Sequence, residues 1–298
     1  MALCENIFEK TMKPIGIFAN GSKPSASDVL CRFAETARRL GLRLAAEPEA
    51  ARLLPGVRRL APEKLIRSIS LLMVFGGDGT MLRAMRLLRG KPVPVLGVNL
   101  GSLGFLTSVA QQDAGRALEC VATGRYTVEG RALAECVVKR AGRIISRYRA
   151  LNDVVIDRGA CYRIVTLDMR LDGEAVSSFV CDGLIVSTPT GSTGHSLSAG
   201  GPILYPGAAA FVVSLICPHT LSTRALVIPD EKRIAVRVTK SVGDLLLSVD
   251  GQVGEKLKPG DQVEIRRSKQ KAHFVHLPDY SYFTVLRQKL HWRGSTLA

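Results

Sequence analysis

The first 110 residues alternate between short apolar runs and longer stretches in which apolar residues return every three or four positions. The runs over 15–18, 69–75 and 93–98 predict buried strands, and the helical recurrence over 26–40 and after Thr80 predicts helices between them. Such alternation implies a parallel sheet covered by helices, with ligands beyond the carboxyl ends of the strands. From about Tyr126 the texture changes. β-rich runs over 134–139, 154–156, 164–171, 184–187, 211–216, 234–238 and 245–249, punctuated by Gly, Asp and Pro, predict a second, largely β domain. A strand over 272–277, then Phe283, Leu286 and Leu290 at helical spacing within 280–292, predict a tail that packs back on the first domain. The expected domains are therefore 1–125, completed by 272–298, and 126–271. No internal repeat is visible.

Both turns expected at the ligand edge of the first sheet carry glycine. In Phe75-Gly76-Gly77-Asp78-Gly79-Thr80, three glycines surround one carboxylate between a strand and a helix. Glycine lacks a Cβ and tolerates positive φ, so backbone N–H groups are able to face an anion at a helix N-terminus. A carboxylate placed there repels phosphate unless it carries a metal or takes a proton from an attacking hydroxyl, which marks Asp78 as a candidate for phosphoryl transfer. The alternative is an ordinary surface turn. The second turn runs from Asn99 through Gly101 and Gly104 to Leu106, and neither turn is the Gly-x-Gly-x-x-Gly dehydrogenase fingerprint.

At 298 residues and 46% hydrophobic composition the chain can bury substantial cores, and two domains are expected. Residues 1–10 contain Glu5 and Glu9 and lack a signal-like apolar stretch, and no run reaches the roughly 18 apolar residues of a membrane span, so a cytoplasmic location and no membrane partner are expected. The formal charge of +15 invites a nucleic-acid reading. Its distribution argues against one: 16 Lys and Arg oppose 8 Asp and Glu up to residue 110, and 25 oppose 18 after it, so no basic arm stands out. Arg83, Arg86 and Arg89 share one broad helix face, read as solvated, with attraction of a donor phosphate as the alternative. Seven scattered cysteines (4, 31, 120, 136, 161, 181, 217), with no Cys-x-x-Cys, indicate neither a disulfide framework nor zinc. His273 and His276 have no companion cluster, so no metal ligand set is assigned.

Between Asp172 and Thr223 there is no Lys or Arg. Within that gap lies a strand from Asp182, then Thr188-Pro189-Thr190-Gly191-Ser192-Thr193-Gly194-His195-Ser196-Leu197-Ser198, with a helix start expected at Ser192 or Thr193. Hydroxyls and backbone donors suit a polar ligand here, whereas a buried capping turn accounts for only one or two of them. Gly194-His195-Ser196-Leu197-Ser198 also resembles a hydrolase nucleophile elbow lacking its final glycine. Asn152-Asp153 reads either as a turn or as a pair of ribose-hydroxyl partners.

Together these segments resemble the NAD kinase family. Gly76-Gly77-Asp78-Gly79-Thr80, Asn99 with Gly101-Ser102-Leu103-Gly104-Phe105-Leu106, Asn152-Asp153, Thr188 to Thr193, Leu197 to Ile203, Cys217-Pro218-His219-Thr220-Leu221-Ser222 and Asp250-Gly251-Gln252 fall in the family's order. The first motif alone is shared with diacylglycerol and sphingosine kinases, so a lipid kinase is the alternative, with a non-enzymatic basic polyanion-binding protein behind it. The resemblance implies an N-terminal α/β parallel-sheet domain with a C-terminal β-sandwich domain, and assembly as a homodimer or homotetramer. It implies transfer of a phosphoryl group from ATP, or polyphosphate, to the 2′-hydroxyl of the adenosine ribose of NAD, giving NADP, with a divalent metal, magnesium by expectation. Asp78 would be the catalytic carboxylate, either the base or the group that orients the 2′-hydroxyl. Gly76, Gly77, Gly79 and Thr80 would approach donor phosphate, and Phe105, Asn152, Asp153, Asp182, Thr190, Thr193, Gly194, His195 and Ser198 would contact the dinucleotide. The family commonly has Ala-Tyr where this chain has Gly194-His195, which replaces a phenol by a smaller ring that titrates near neutral pH.

Overall fold

The computed structural model describes residues 13–102, 104–159, 164–220, 222–240 and 245–292; Leu103 and Leu221, quoted in the motifs above, lie outside the described residues, as do Cys4 and Cys161. The chain forms two compact units, Met1–Gly130 with His273–Ala298, and Arg131–Ala272.

In the first unit, strands β1 (Ile15–Ala19), β2 (Leu44–Ala46), β3 (Arg58–Arg59), β4 (Leu71–Gly76) and β5 (Val95–Asn99) form a parallel sheet in the order β3-β2-β1-β4-β5. A two-residue strand, β6 (Val109–Ala110), pairs with β5. Every residue of β1, β4 and β5 is buried, which is why these strands read as continuous apolar runs: helices cover both faces of a parallel sheet. Helix α1 (Ala26–Arg39) turns Val29, Leu30, Phe33 and Ala37 inward, and Phe33 meets Phe75 edge-on with centroids 5.0 Å apart. Helices α2 (Pro48–Arg52) and α3 (Pro62–Ser68) escaped the sequence pattern because five and seven residues show too little of a 3.6-residue period. Ile69 therefore ends α3, and β4 starts at Leu71 rather than at residue 69. Helix α4 (Asp78–Leu88) begins two residues before its expected start, and α5 (Ala114–Ala122) follows the second glycine turn.

The strand ladders whose register is described in the second unit are antiparallel. The unit contains most of β7 (Thr127–Arg140), then β8 (Arg143–Ala150), β9 (Asp153–Asp157), β10 (Val165–Leu171), β11 (Glu174–Cys181), β12 (Gly183–Ser187), the short helix α6 (His195–Ser198), β13 (Ala210–Ile216), β14 (Leu226–Pro229), β15 (Ile234–Lys240), β16 (Leu245–Val249), β17 (Val253–Leu257) and most of β18 (Gln262–His276). One sheet contains β11-β10-β15-β18 with β7 and β8, and the other runs β14-β13-β12-β9-β16-β17. Leu167, Val236 and Ile265 of the first sheet share a core with Ile156, Val186, Phe211 and Leu247 of the second, so the expected β-sandwich is present. Burial in this unit pushes the thiol of Cys136 up to about 12 and that of Cys181 up to about 11, and both are inert packing residues at neutral pH.

Phe274, near the end of β18, pairs with Val95 of β5 in the first unit, and helix α7 (Tyr282–Leu290) docks there through buried Val285 and Leu286. The Ser281 hydroxyl caps α7 by accepting the Thr284 N–H at 3.3 Å. His276 is buried beside Glu129, with Nε2 2.7 Å from Oε2, and stacks on Tyr280, which gives it a structural role. Among the described residues no helix is long and apolar enough to cross a membrane.

Candidate functional site

The carboxyl ends of β4 and β5 bring the two glycine turns together. Asp78 is the first residue of α4, and each of its oxygens accepts one backbone N–H from the second turn: Phe105 N–H to Oδ2 at 2.9 Å and Leu106 N–H to Oδ1 at 3.0 Å. Its direction is thereby fixed by chain 27 and 28 residues away. A Cβ on Gly104 would lie 2.6 Å from Asp78 Cγ and 2.9 Å from Oδ2, so only glycine lets the second turn approach the carboxylate. That turn is folded by Asn99, whose Nδ2 donates to the Ser102 carbonyl and, at 3.2 Å, to Thr107 Oγ1, while its Oδ1 accepts the Gly101 N–H at 2.6 Å. A cavity of about 200 Å³ opens beside the carboxylate, lined by Lys23, Gly77, Asp78, Asn99, Gly101, Ser102, Gly104 and Lys289.

The three glycines around Asp78 act differently from expectation. None of Gly76, Gly77 and Gly79 has positive φ, and only at Gly76 is the missing Cβ required by a neighbouring side chain. Gly76 is a buried strand residue, where a Cβ would come within 2.6 Å of Thr80 Cβ, so this glycine and Thr80 serve the packing of helix against strand. At Gly77 and Gly79 a Cβ would meet nothing, and only Gly77 lines the cavity. Arg83 does not reach toward a donor. Its guanidinium is held by Glu49 at 3.1 Å and lies over the Phe18 ring.

The second constellation lies at one end of the sandwich's β9-β12-β16 sheet. A cavity of about 370 Å³ is lined by Asn152, Asp153, Val155, Asp157, His195, Ser248, Asp250 and Gly251. Asp250, in the turn after β16 with φ 53°, accepts the N–H groups of Leu151, Asn152 and Asp153 at 2.9, 2.7 and 3.1 Å. It is the residue that shapes this corner, and its one local signal is the Asp-Gly turn dipeptide. From the other side, the Thr188 N–H donates to the Asn152 carbonyl at 2.8 Å and the Thr188 hydroxyl to the Leu151 carbonyl at 2.5 Å. Asn152 Oδ1 and Thr190 Oγ1 are both buried without a hydrogen-bond partner. Buried polar atoms of this kind ask for a ligand or a water.

The hydroxyl-rich segment divides between structure and surface. Ser187, Thr188, Ser192 and Ser196 are buried; the Ser192 hydroxyl donates to the Pro189 carbonyl at 2.7 Å and accepts the Leu204 N–H at 2.9 Å. The Ser196 hydroxyl is 3.0 Å from that of Ser214 and has no acid or imidazole bonded to it among the described residues, which argues against the nucleophile-elbow reading. The expected helix start is a 3-10 turn over Gly191–Thr193, followed by the four-residue α6. Gly194, His195 and Ser198 are exposed, Thr193 is half-buried, and only His195 of these lines the cavity. Asp182 is paired with Arg158 at 3.0 Å and does not line the cavity. Phe105 is half-buried, and its backbone serves Asp78.

Burial, and then the neighbouring Asp250 charge, push the carboxyl of Asp153 up to about 7. An unfolded chain ionises this group near pH 4, so between about pH 4 and 7 the folded protein binds the extra proton and loses stability as pH rises. Above pH 7 the cost reaches about 1.4 kcal/mol per pKa unit, on the order of 4 kcal/mol in all. The unliganded Asp153→Asn protein is therefore expected to melt several degrees above wild type at pH 8.5, with the difference shrinking toward zero at pH 4.5. A difference independent of pH in calorimetric scans would refute this.

The ATP-NAD kinase N-terminal domain matches residues 15–126 and the ATP-NAD kinase C-terminal domain residues 151–277. The NAD kinase of Geobacter sulfurreducens is 40% identical over 281 residues, 94% of this chain and 99% of that protein; that of Magnetococcus marinus is 40% identical over 286 residues, covering 94% of each. The crystal structure of yeast NADH kinase complexed with NADH superposes with a TM-score of 0.88 at 26% identity, covering 96% of this chain and 90% of that one. The Archaeoglobus fulgidus NAD kinase, solved in complex with ATP, shares the fold with a TM-score of 0.75 at 24% identity, over 94% of this chain and all of that one. The chain belongs to the NAD kinase family, and it is an enzyme, a transferase that phosphorylates NAD with ATP.

Proposed function

We propose that the protein transfers the γ-phosphoryl group of ATP to the 2′-hydroxyl of the adenosine ribose of NAD, forming NADP and ADP in the cytoplasm. The observation that carries the residue-level reading is the pair of backbone N–H bonds that aim Asp78 into a glycine-lined cavity. In this reading the cavity accepts the donor phosphates, and Asp78 removes the proton from the attacking hydroxyl as the ribose oxygen bonds to phosphorus and the bond from phosphorus to the ADP oxygen breaks. The cavity at Asn152, Asp153 and His195 holds the dinucleotide: Asp153 accepts from ribose hydroxyls, and the buried Asn152 Oδ1 gains a partner, while Thr190, whose Oγ1 is also unpartnered, is not among the residues that line this cavity. Thr193, Gly194 and Ser198 lie within three residues of His195 in the chain and are read as further contacts to the dinucleotide. Gly77 and Gly79 approach the donor, Gly76 and Thr80 hold the turn, and Phe105 fixes the base. Asp182 braces β12 through Arg158.

No cluster of three His, Cys, Asp or Glu side chains occurs among the described residues, and the donor cavity is lined by the single carboxylate Asp78, whose oxygens keep lone pairs after accepting one N–H each. That donor set fits magnesium, which is usually held by only one or two carboxylates together with substrate phosphates, and Asp78 would be the carboxylate available to it here. When bound, it would neutralise charge on the phosphate chain.

Incubation with NAD, ATP and magnesium should yield a dinucleotide reducible by an NADP-specific dehydrogenase, and chelation of magnesium should stop its formation. Phosphorylation of diacylglycerol instead would point to the lipid-kinase alternative, which shares residues 76–80 and leaves the segment from Thr188 to Ile203 without a purpose. Light scattering on the pure protein tests the homodimer or homotetramer.

A further inference from the structure

Two lysines line the donor cavity from opposite ends of the sequence: Lys23, in the turn after β1, and Lys289, in the last turn of α7. Neither side chain has a hydrogen bond or ion pair among the described residues. Lys289 occupies an unusual position for a lysine. It follows Val285 and Leu286 by four and three residues, so it shares the helix face that buries both, and it is itself half-buried. Packing alone asks for an apolar side chain there. A lysine in that stripe covers apolar surface with its stem and delivers a charge at the far end, and Lys289 is a lining residue of the cavity. The electrostatics of the cavity call for such a charge, because Asp78 is negative and a polyphosphate chain brings several more negative charges to it. The arginines on α4 do not fill the role at this rim: none of them lines the cavity, and Arg83 is held by Glu49.

We propose that Lys289 is a substrate-binding residue for the donor's phosphate chain, and that Lys23, which lines the same cavity, is its partner. This rests on the reading of the cavity as the donor site. A charge-assisted bond to phosphate oxygens from each ammonium holds the chain against the Gly77 turn with its terminal phosphorus toward Asp78. Helix α7 thereby has a chemical function in addition to closing the first unit's core.

The test uses the full-length enzyme and two substitutions. Lys289→Met keeps the length and apolar stem of the side chain and removes the charge; Lys289→Arg keeps the charge. With NAD saturating, Lys289→Met should raise KM for ATP at least about tenfold, the usual worth of a hydrogen bond to a charged group, and leave KM for NAD within twofold. Lys289→Arg should recover most of the loss. Inorganic tripolyphosphate serves as a probe of the phosphate subsite alone: by calorimetry it should bind wild type at least about tenfold more tightly than Lys289→Met, with Lys23→Met showing a loss of the same kind. Equal ATP dependence in wild type and folded Lys289→Met, or equal loss in the Met and Arg variants, would overturn the proposal. Failure of the enzyme to make NADP would instead overturn the reading of the reaction, while the tripolyphosphate titration would still decide whether Lys289 binds phosphate.

Discussion

Asp78→Asn should lower kcat by about 10² to 10⁴ at saturating NAD and ATP, because an amide cannot take the proton of the attacking hydroxyl and general-base catalysis contributes a factor of about that size. Binding of NAD, measured by calorimetry, should change little, since the residues assigned to the dinucleotide belong to the other unit. The substitution has a structural effect as well. Both oxygens of Asp78 accept backbone N–H groups, so the side-chain amide nitrogen introduced by Asp78→Asn would face either the Phe105 or the Leu106 N–H, donor against donor. Losing one such bond with its acceptor costs about 1 to 3 kcal/mol, and a modest fall in the melting temperature should accompany the kinetic loss. The kinetic effect is separable from the structural one by Leu106→Pro, which removes the N–H donor to Oδ1 but leaves the carboxylate. That variant should lose stability and retain a basic group. If Asp78→Asn keeps more than a tenth of wild-type turnover, Asp78 is not the base.

What the sequence made legible was what local pattern controls. The strands β1, β4 and β5 are buried on both faces and read as unbroken apolar runs, and β16 was read from 245 to 249, where it lies. Asp78 and its glycines stand out because a carboxylate among glycines is chemically unusual between strand and helix. The reasons for the individual glycines were not legible, since they depend on side chains that only the fold brings near: Thr80 at Gly76, the Asp78 carboxylate at Gly104. Asp250 illustrates the same limit over a longer distance. Its three N–H partners lie 97 to 99 residues earlier, and no local signal relates an Asp-Gly turn to Asn152-Asp153. Lys289 was hidden in a helical apolar pattern that the eye completes with its neighbours Leu286 and Leu290. Asp182 shows the converse: a carboxylate expected at the dinucleotide carries an ion pair to Arg158 that no local pattern announces.

Gly191→Ala is expected to be among the most damaging single methyl additions in the second unit. The new Cβ would stand 2.5 Å from the carbonyl carbon of Asn152 and 2.6 Å from its Cα, a collision with main chain that no rotamer change relieves. Neither partner is free to retreat. Asn152 is held by Asp250 through its N–H at 2.7 Å and by Thr188 through its carbonyl at 2.8 Å, while the Gly191 N–H donates to Thr188 Oγ1 at 3.2 Å. Overpacking a well-filled site costs about 1 to 3 kcal/mol, and pinned backbone on both sides places this case at the upper end or beyond. Gly194→Ala, three residues on, is the matched control: its Cβ would lie 3.4 Å from the Gly191 carbonyl oxygen, an ordinary contact. Denaturant unfolding should therefore show a loss of about 3 kcal/mol for Gly191→Ala and less than about 1 kcal/mol for Gly194→Ala. Whatever Gly191→Ala protein stays folded must displace Asn152 and Asp153 to do so, and KM for NAD should rise in it while KM for ATP does not. Equal stabilities for the two alanine variants would mean that the corner at Asn152 is soft, and the rigid acceptor site described above would have to be given up.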